Sequence, residues 1–447
     1  PPTDKRNFEK ALSKDSYTFG FELGRNRQGQ VEIARLVPGG AAWKSQEINK
    51  GDLVTEVRFA SGQVLDLICA SLSDLTSEIE ATDSRKLTLE IQKAGGLKKT
   101  VTLIKEKMSV EDNTLDSFIL KGEKKVGYIY LPGFYTQFED GNALGCANDV
   151  AKELLMLQIE GIEGLILDLR FNGGGSMEEA IDLAGLFIDE GPIAMTNTKE
   201  GKVKAIRDMN RGVTYEGPLM VLVNGLSASA SELFAASIQD YHRGLIVGTT
   251  TYGKATGQII VPLHPSRPQE GASVKVTNFK FYRVTGDSHQ AQGVVPDLEI
   301  PDPWRELVTL EVDQPSVIAR DQVQKELVYD ALPPISVGPL KSKSQVRIAA
   351  NPYFQVQGEA MKEVQKVMDQ GEHLILHPGG YGETLGRLSE IFDAVYDPEV
   401  GEQAVFVVDN NRSMATVLML SENLKLRNDQ VKEKLLTDIQ LQEAFQV

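Results

Sequence analysis

From about Lys121 to Thr250 the chain alternates strand-sized apolar runs with amphipathic segments, and no other feature narrows its possible folds as far. KVGYIYLPG reads as a strand, and ALGCANDVAKELLMLQIEG has the i, i+3, i+4 apolar spacing of a helix. GIEGLILDLR is nearly all apolar, as in a strand buried on both faces of a parallel sheet. SMEEAIDLAGLFID, GPLMVLVN, SASELFAASIQDYHRG and LIVGTT continue as helix, strand, helix and strand. A β-α-β-α-β-α-β order of this kind predicts an α/β layer with right-handed crossovers.

The 447 residues are too many for one ordinary core, so two or three domains are expected. The first hundred or so residues read as a small mixed unit. YTFGFELG and QVEIARLV are strand-like, Pro38-Gly39-Gly40 punctuates them, and AAWKSQ is a short helix. INKGDLVTEVRF gives a turn and a strand, DLICASLSDLTSEIEAT contains a helix, and KLTLEIQKAG closes with a strand. Beyond about Pro303 the chain becomes charged. DQVQKELVYDAL, GEAMKEVQKVMD and NDQVKEKLLTDIQLQEAF predict helices there, and QAVFVVDN is a short strand candidate among them. The expected divisions are residues 12–107, 115–308 and 309–447.

Composition removes several function classes. With 41% hydrophobic and 25% charged residues the chain is neither disordered nor fibrous. A net charge of −16 opposes nucleic acid as the main partner, because phosphate binding needs a basic face. No apolar run approaches the roughly 20 residues of a membrane span. The N-terminus, PPTDKRNFEK, has neither an initiator Met nor the apolar core of a signal peptide, as expected of a processed product; it does not decide export. Cys69 and Cys146 have no metal spacing and read as buried free thiols.

Three segments could carry chemistry. In NGLSASASELF, Ser229-Ala-Ser-Glu232 is a capping box ahead of an apolar-periodic helix. Ser229 is then a helix cap, or a nucleophile placed where free N–H groups and the helix dipole favour a developing anion. In LDLRFNGGGSMEEA, Gly173, Gly174 and Gly175 join a strand to a helix. They form a tight turn, or backbone donors for an oxyanion. A phosphate loop would need Gly-Lys-Ser/Thr, and Ser176-Met177-Glu178 follows instead. In TTYGKATGQ, Lys254 has uncharged neighbours; it is a solvated lysine, or one whose burial frees its amine to act as a base for a serine. His242 lies about 20 Å of helix rise from Ser229, a poor position for a base. His264, His289, His373 and His377 sit in no triad or metal motif, and no metal is expected.

SASASELFAASIQDYHRGLIVGTTTYGKATGQ resembles the active-site block of the tail-specific, or C-terminal-processing, serine proteases. KVGYIYLPGFYTQFED, LILDLRFNGGGSMEEAIDLAGLFI and KFYRVTGDSHQAQGVVPDLEIP are similar to further blocks of that family, in the same order. The resemblance implies a crotonase- or ClpP-like α/β protease core with Ser229 as nucleophile and Lys254, 25 residues on, as general base. Gln258 would assist the lysine, and Glu232 and Asp240 would support. Gly174, Gly175 and Ala230 would supply the oxyanion hole. GGAAWKSQEINKGDLVTEV is similar to part of a PDZ domain, with Phe19, Gly20 and Phe21 of TFGF where the carboxylate-binding loop would lie. SKSQVRIAANPYFQ is similar to the family's helical tail, whereas the stretch from about His373 to Asn411 matches nothing recognisable. Ala255 and His242 stand where the family commonly has glycine.

The implied substrates are proteins or peptides with free, apolar C-termini, in a bacterial periplasm or cell envelope. No cofactor is implied, and an adaptor protein or a second copy of the chain would be the further partners. Two rivals remain: a CoA-ester hydratase on the related fold, using a carboxylate, and a PDZ scaffold with an inactive protease core.

Overall fold

The computed structural model describes residues 13, 15–26, 28–37, 39–65, 67, 71–81, 85–109, 114–136, 144–264, 272–324, 327–369, 404–419 and 422–447. Cys69, Pro38, His373 and His377 lie outside them.

The N-terminal unit is built on β1 (Asp15–Thr18), β2 (Phe21–Arg25), β3 (Val31–Leu36), the short α1 (Ala41–Ser45), β4 (Leu53–Phe59), α2 (Leu72–Ala81), β5 (Lys86–Gln92), β6 (Lys98–Ile104) and β7 (Glu106–Ser109). YTFGFELG, read as one strand, is broken at Phe19-Gly20, where Gly20 takes a φ of 77°. Strands β2 to β6 form an antiparallel sheet in sequence order, and β1 pairs with β7. Alternation along β5, with Leu87, Leu89 and Ile91 all fully buried, sets which face meets the core. Strand β2 is the edge of its sheet, and Phe21 and Leu23 border a small pocket with Thr76 and Ile79 of α2.

The central domain follows the alternation of the sequence. Its elements are β8 (Asp116–Lys121), β9 (Lys125–Tyr130), α3 (Cys146–Ile159), β10 (Gly164–Asp168), α4 (Met177–Gly185), β11 (Pro192–Thr198), β12 (Val203–Arg207), β13 (Leu219–Val223), α5 (Ala230–Asp240), β14 (Leu245–Gly248), β15 (Thr256–Pro262), β16 (Ser273–Tyr282) and β17 (Leu298–Glu299). Strands β9, β10, β13, β14 and β17 are parallel neighbours, the sheet expected of successive crossovers. Helices α3, α4 and α5 pack their apolar stripes into one cluster with Leu165, Leu167, Val221 and Ile246. Cys146 is a buried free thiol in α3, and burial pushes its pKa up. A second, four-stranded sheet, ordered β12-β11-β16-β15, is a feature the sequence pattern did not announce.

The remaining elements are α6 (Val337–Ala350), α7 (Pro352–Asp369), β18 (Val407–Asp409), α8 (Arg412–Leu418), α9 (Glu422–Thr437) and α10 (Ile439–Gln446). The strand candidate QAVFVVDN supplies β18, which pairs antiparallel with β8 and so extends the central sheet. DQVQKELVYDAL departs from expectation: its described residues form no helix. Tertiary bonds take the place of helical ones, with Val323 N–H donating to Gly286 O (2.9 Å), Leu332 N–H to Tyr241 O (3.0 Å), and Tyr329 packing on Tyr241. Local helix propensity is too weak to resist such contacts. NDQVKEKLLTDIQLQEAF is likewise two helices, because Asp438 caps α10 by accepting from Leu441 N–H (2.9 Å).

Phe234 lies fully buried in α5, its ring 6.0 Å from that of Phe187. Phe234→Ala is expected to destabilise the protein by about 3–5 kcal/mol, read from denaturant unfolding; a loss below about 1 kcal/mol would mean that the core collapses around the gap.

Candidate active site

The three alternating serines separate at once by burial. Ser227 and Ser231 are fully buried. The Ser227 hydroxyl donates to Leu169 O (2.8 Å) and accepts from Asn224 N–H (2.9 Å), and the Ser231 hydroxyl donates to Asn172 O (2.8 Å). Both pin the turn between β13 and α5 to the end of β10. Ser229 between them is half-buried, with φ 59° and ψ −109°. That conformation costs an L-residue roughly 1–3 kcal/mol and persists only where the surroundings impose it. Half of the predicted capping box is made: the Glu232 carboxylate accepts from Ser229 N–H (2.8 Å). Glu232 N–H donates to the Ser229 carbonyl (3.0 Å), so the cap does not consume the hydroxyl.

The glycine loop lies directly against this turn. A Cβ at Gly174, whose φ is 101°, would fall 2.9 Å from Ser229 Cβ and 2.8 Å from Ala228 O. At Gly175, with φ 146°, it would fall 2.3 Å from Phe134 O. Two asparagines hold the loop. Asn172 donates to Leu131 O and accepts from Gly174 N–H (2.9 Å each), and Asn224 accepts from Phe171 N–H (3.0 Å). The three oxyanion candidates therefore differ. The Gly174 amide is taken by Asn172, whereas the bridge to Phe134 is made by Gly174 O and Ser176 N–H, which turns the Gly175 amide to the other side. Ala230 N–H heads α5, where no intrahelical acceptor exists.

Lys254 follows β14 on a turn that Glu232 also holds. The Glu232 side chain is fully buried, and four donors converge on it. Oε2 accepts from Ser229 N–H and Lys254 N–H (2.8 Å each), and Oε1 from Gly253 N–H and the Thr251 hydroxyl (2.6 Å each). One carboxylate thus joins the backbones of the serine and the lysine singled out by the sequence. Burial pushes its pKa up to about 7, against the opposing pull of those hydrogen bonds.

The other candidates sit farther out. Gln258 is exposed on β15, next to a bulge. Asp240 closes the far end of α5, about 16 Å of helix rise from Ser229, in a bidentate pair with Arg283 (2.6–3.1 Å). Phe19 and Gly20 link β1 to β2 in the N-terminal unit and Phe21 opens β2; Phe19 O accepts from Ala42 N–H and Gly20 N–H is held by Thr18 Oγ1. Among the described histidines, His242 approaches Leu332 O with Nδ1 (2.8 Å). His289 is buried, and burial together with Arg283 pushes its pKa down to about 3. Neither makes a hydrogen bond to Ser229.

Sequence reasoning missed Asn172, Asn224 and Thr251. Both asparagines precede a glycine, a pair that marks a turn and says nothing of the partners the side chain takes. It also missed the buried group in which Arg170 pairs with Asp168 and with Asp438 (2.6 Å each), while Tyr128 donates to Asp168. That group fastens the start of α10 to the strand end that carries the glycine loop.

An α/β layer here presents a serine at a strained strand-to-helix turn, over a glycine loop and joined through Glu232 to the turn that carries Lys254. Residues 125–300 match the model of peptidase family S41, and this domain belongs to that family. The chain is 32% identical over 379 residues to a tail-specific protease of Haemophilus influenzae, covering 81% of this chain and 52% of that protein. To a probable CtpA-like serine protease of Staphylococcus aureus it is 27% identical over 306 residues, 67% of this chain and 55% of that one. The chain thus spans about half the length of the curated relatives it matches. Among solved structures, a photosystem II D1 C-terminal processing protease is 24% identical with a TM-score of 0.38, covering 67% of this chain and 76% of that one.

Two consequences follow from Glu232. Its folded-state pKa lies above the ordinary 4.5, so between there and about 7 the folded protein keeps a proton that the unfolded chain has released. Stability from this group therefore falls as pH rises through that window, while its capacity to accept all four donors is complete only above it. Activity is accordingly expected to fall with an acidic limb near pH 7 in kcat/KM. In Glu232→Gln the amide NH2 would face two of the donors, each unmet group costing about 1–3 kcal/mol. That variant should lose roughly tenfold or more in kcat/KM, and a near-wild-type rate would show that the carboxylate is dispensable.

Proposed function

We propose that the chain is a serine endopeptidase in which Ser229 is the nucleophile and Lys254 its general base. The observation that carries the reading is the shared Glu232 carboxylate, which fixes the Ser229 and Lys254 backbones to one oxygen. The Lys254 amine takes the Ser229 proton as Oγ bonds to the scissile carbonyl carbon. The oxyanion is received by N–H groups at the head of α5 and in the glycine loop, Ala230 and Gly175 being the better placed and Gly174 requiring release from Asn172. Collapse breaks the C–N bond, the lysine proton passes to the leaving amine, and water then cleaves the acyl ester. Gln258 orients the lysine once substrate covers β15, and Asp240 supports the helix through Arg283.

In this reading the N-terminal unit is a PDZ domain that selects substrates. The free edge of β2 beside α2 accepts an apolar C-terminus as an added strand, with the TFGF loop toward its carboxylate. Protein substrates with apolar tails, in a bacterial envelope compartment, follow from the same resemblance.

Ser229→Ala and Lys254→Ala are each expected to abolish cleavage of an unfolded protein with an apolar tail, with an unfolding midpoint close to wild type. Lys254→Arg should not rescue, because a guanidinium does not release its proton at working pH. Cleavage by Ser229→Ala at the wild-type rate would overturn the mechanism. Phe21→Ala should raise KM for the tailed protein and leave a short untailed peptide unaffected; equal effects on both would remove the selecting role.

A further inference from the structure

Every backbone amide from Gly253 to Ala255 ends on a buried side-chain acceptor. Gly253 and Lys254 donate to Glu232, and Ala255 donates to Gln290 Oε1 (2.8 Å). Gln290 is itself fully buried, and its Nε2 donates to Glu311 Oε1 (3.0 Å). Its carboxamide is thereby oriented at both ends: the Ala255 amide requires an oxygen, and the Glu311 carboxylate requires an N–H. The segment around it closes on the same turn. Ala291 N–H donates to Gly253 O (2.7 Å), Val294 N–H donates to the Thr251 hydroxyl (2.7 Å), and a Cβ at Gly253 would fall 3.2 Å from Gly293 N. Glu311 is tied from its own backbone too, its N–H donating to Tyr252 O (3.1 Å). It lies beyond the residues that match the peptidase model.

We propose that Gln290 and Glu311 are positioning residues that aim the Lys254 amine, a role that rests on the reading of Lys254 as the base. The ammonium stem of lysine is long and freely rotating, so the direction of its Cα–Cβ bond decides where the amine spends its time. That direction is fixed from two sides, by Glu232 on the amides of Gly253 and Lys254 and by Gln290 on that of Ala255. A catalytic group must be held within about 0.5 Å of its working position. Only a carboxamide meets both demands at position 290. A carboxylate at this fully buried position would face that of half-buried Glu311, and a methyl group would leave the Ala255 amide unmet.

The test is an exchange of the pair. Gln290→Glu and Glu311→Ala are each expected to lower kcat about ten- to a hundredfold, with KM within about twofold. The Gln290→Glu loss should shrink as pH falls, because one of the facing carboxylates takes a proton. The double variant Gln290→Glu/Glu311→Gln restores the complementary pair, with the carboxylate introduced at position 290 accepting from Ala255 N–H and from the carboxamide introduced at position 311. Its kcat should return to within about threefold of wild type, and unfolding midpoints show whether any loss is merely unfolding. Unchanged kcat in both single variants, or a double variant no better than Gln290→Glu, overturns the assignment. If Lys254→Ala still turns over, the base reading falls separately. The strut is then judged by hydrogen exchange at the Ala255 amide, which must accelerate in Glu311→Ala and which overturns the strut if it does not.

Discussion

One buried carboxylate organises the site. Glu232 has no exposed surface, and an isolated ion there would be prohibitive. Four donors make it tolerable, and they come from two separate stretches of chain, the turn before α5 and the turn after β14. Charge-assisted bonds of this kind are shorter and stronger than neutral ones. The left-handed backbone of Ser229 is sustained because its amide is captured by that carboxylate, while Ser227 and Ser231 anchor the residues on either side. Removing the side chain would release both turns together.

The sheet places these turns where they can meet. Asn172, Asn224 and Thr251 all lie just past the carboxyl ends of parallel strands, the edge at which α/β sheets build their sites. Helix α5 begins there, with the Ala230 amide at its head and the glycine loop packed against the turn before it. The C-terminal residues take part in this architecture. Strand β18 extends the sheet beyond β8, and Asp438 closes on Arg170 at the root of the glycine loop. In the same way, Glu311 reaches Gln290 from beyond the matched domain.

What could be read in advance was whatever depends on short-range periodicity. Strands β9, β10, β13 and β14 and helices α3, α4 and α5 announce themselves because burial on a fixed face repeats every 3.6 residues, or along a continuous apolar run. Ser229-x-x-Glu232 was legible as a cap for the same local reason, although the larger task of Glu232, holding the Lys254 turn, was not. Strands β12, β15 and β16 escaped notice because exposed polar and apolar residues mix along them, as in SVKVTNFKFY, and β11 because its buried run, PIAM, is only four residues long. DQVQKELVYDAL looked helical by composition, and contacts with Tyr241, Tyr282 and Gly286 hold it open instead. Partners such as Asn172 with Leu131 O, or Arg170 with Asp438, are set by tertiary proximity, which leaves no mark at fixed spacing. Lys254 stood out by its uncharged neighbours in TTYGKATGQ, which left a solvated lysine and a buried base both open; only the resemblance chose between them.

The most direct test of the shared carboxylate is a titration of its own carbon. Carbon-13 labelling of glutamate side chains, with the Glu232 resonance identified by its loss in Glu232→Gln, reports the protonation of that group alone. The expected midpoint is near 7, coincident with the acidic limb of activity. A midpoint at the ordinary carboxylate value, or one that leaves the pH profile of activity unmoved, would contradict it.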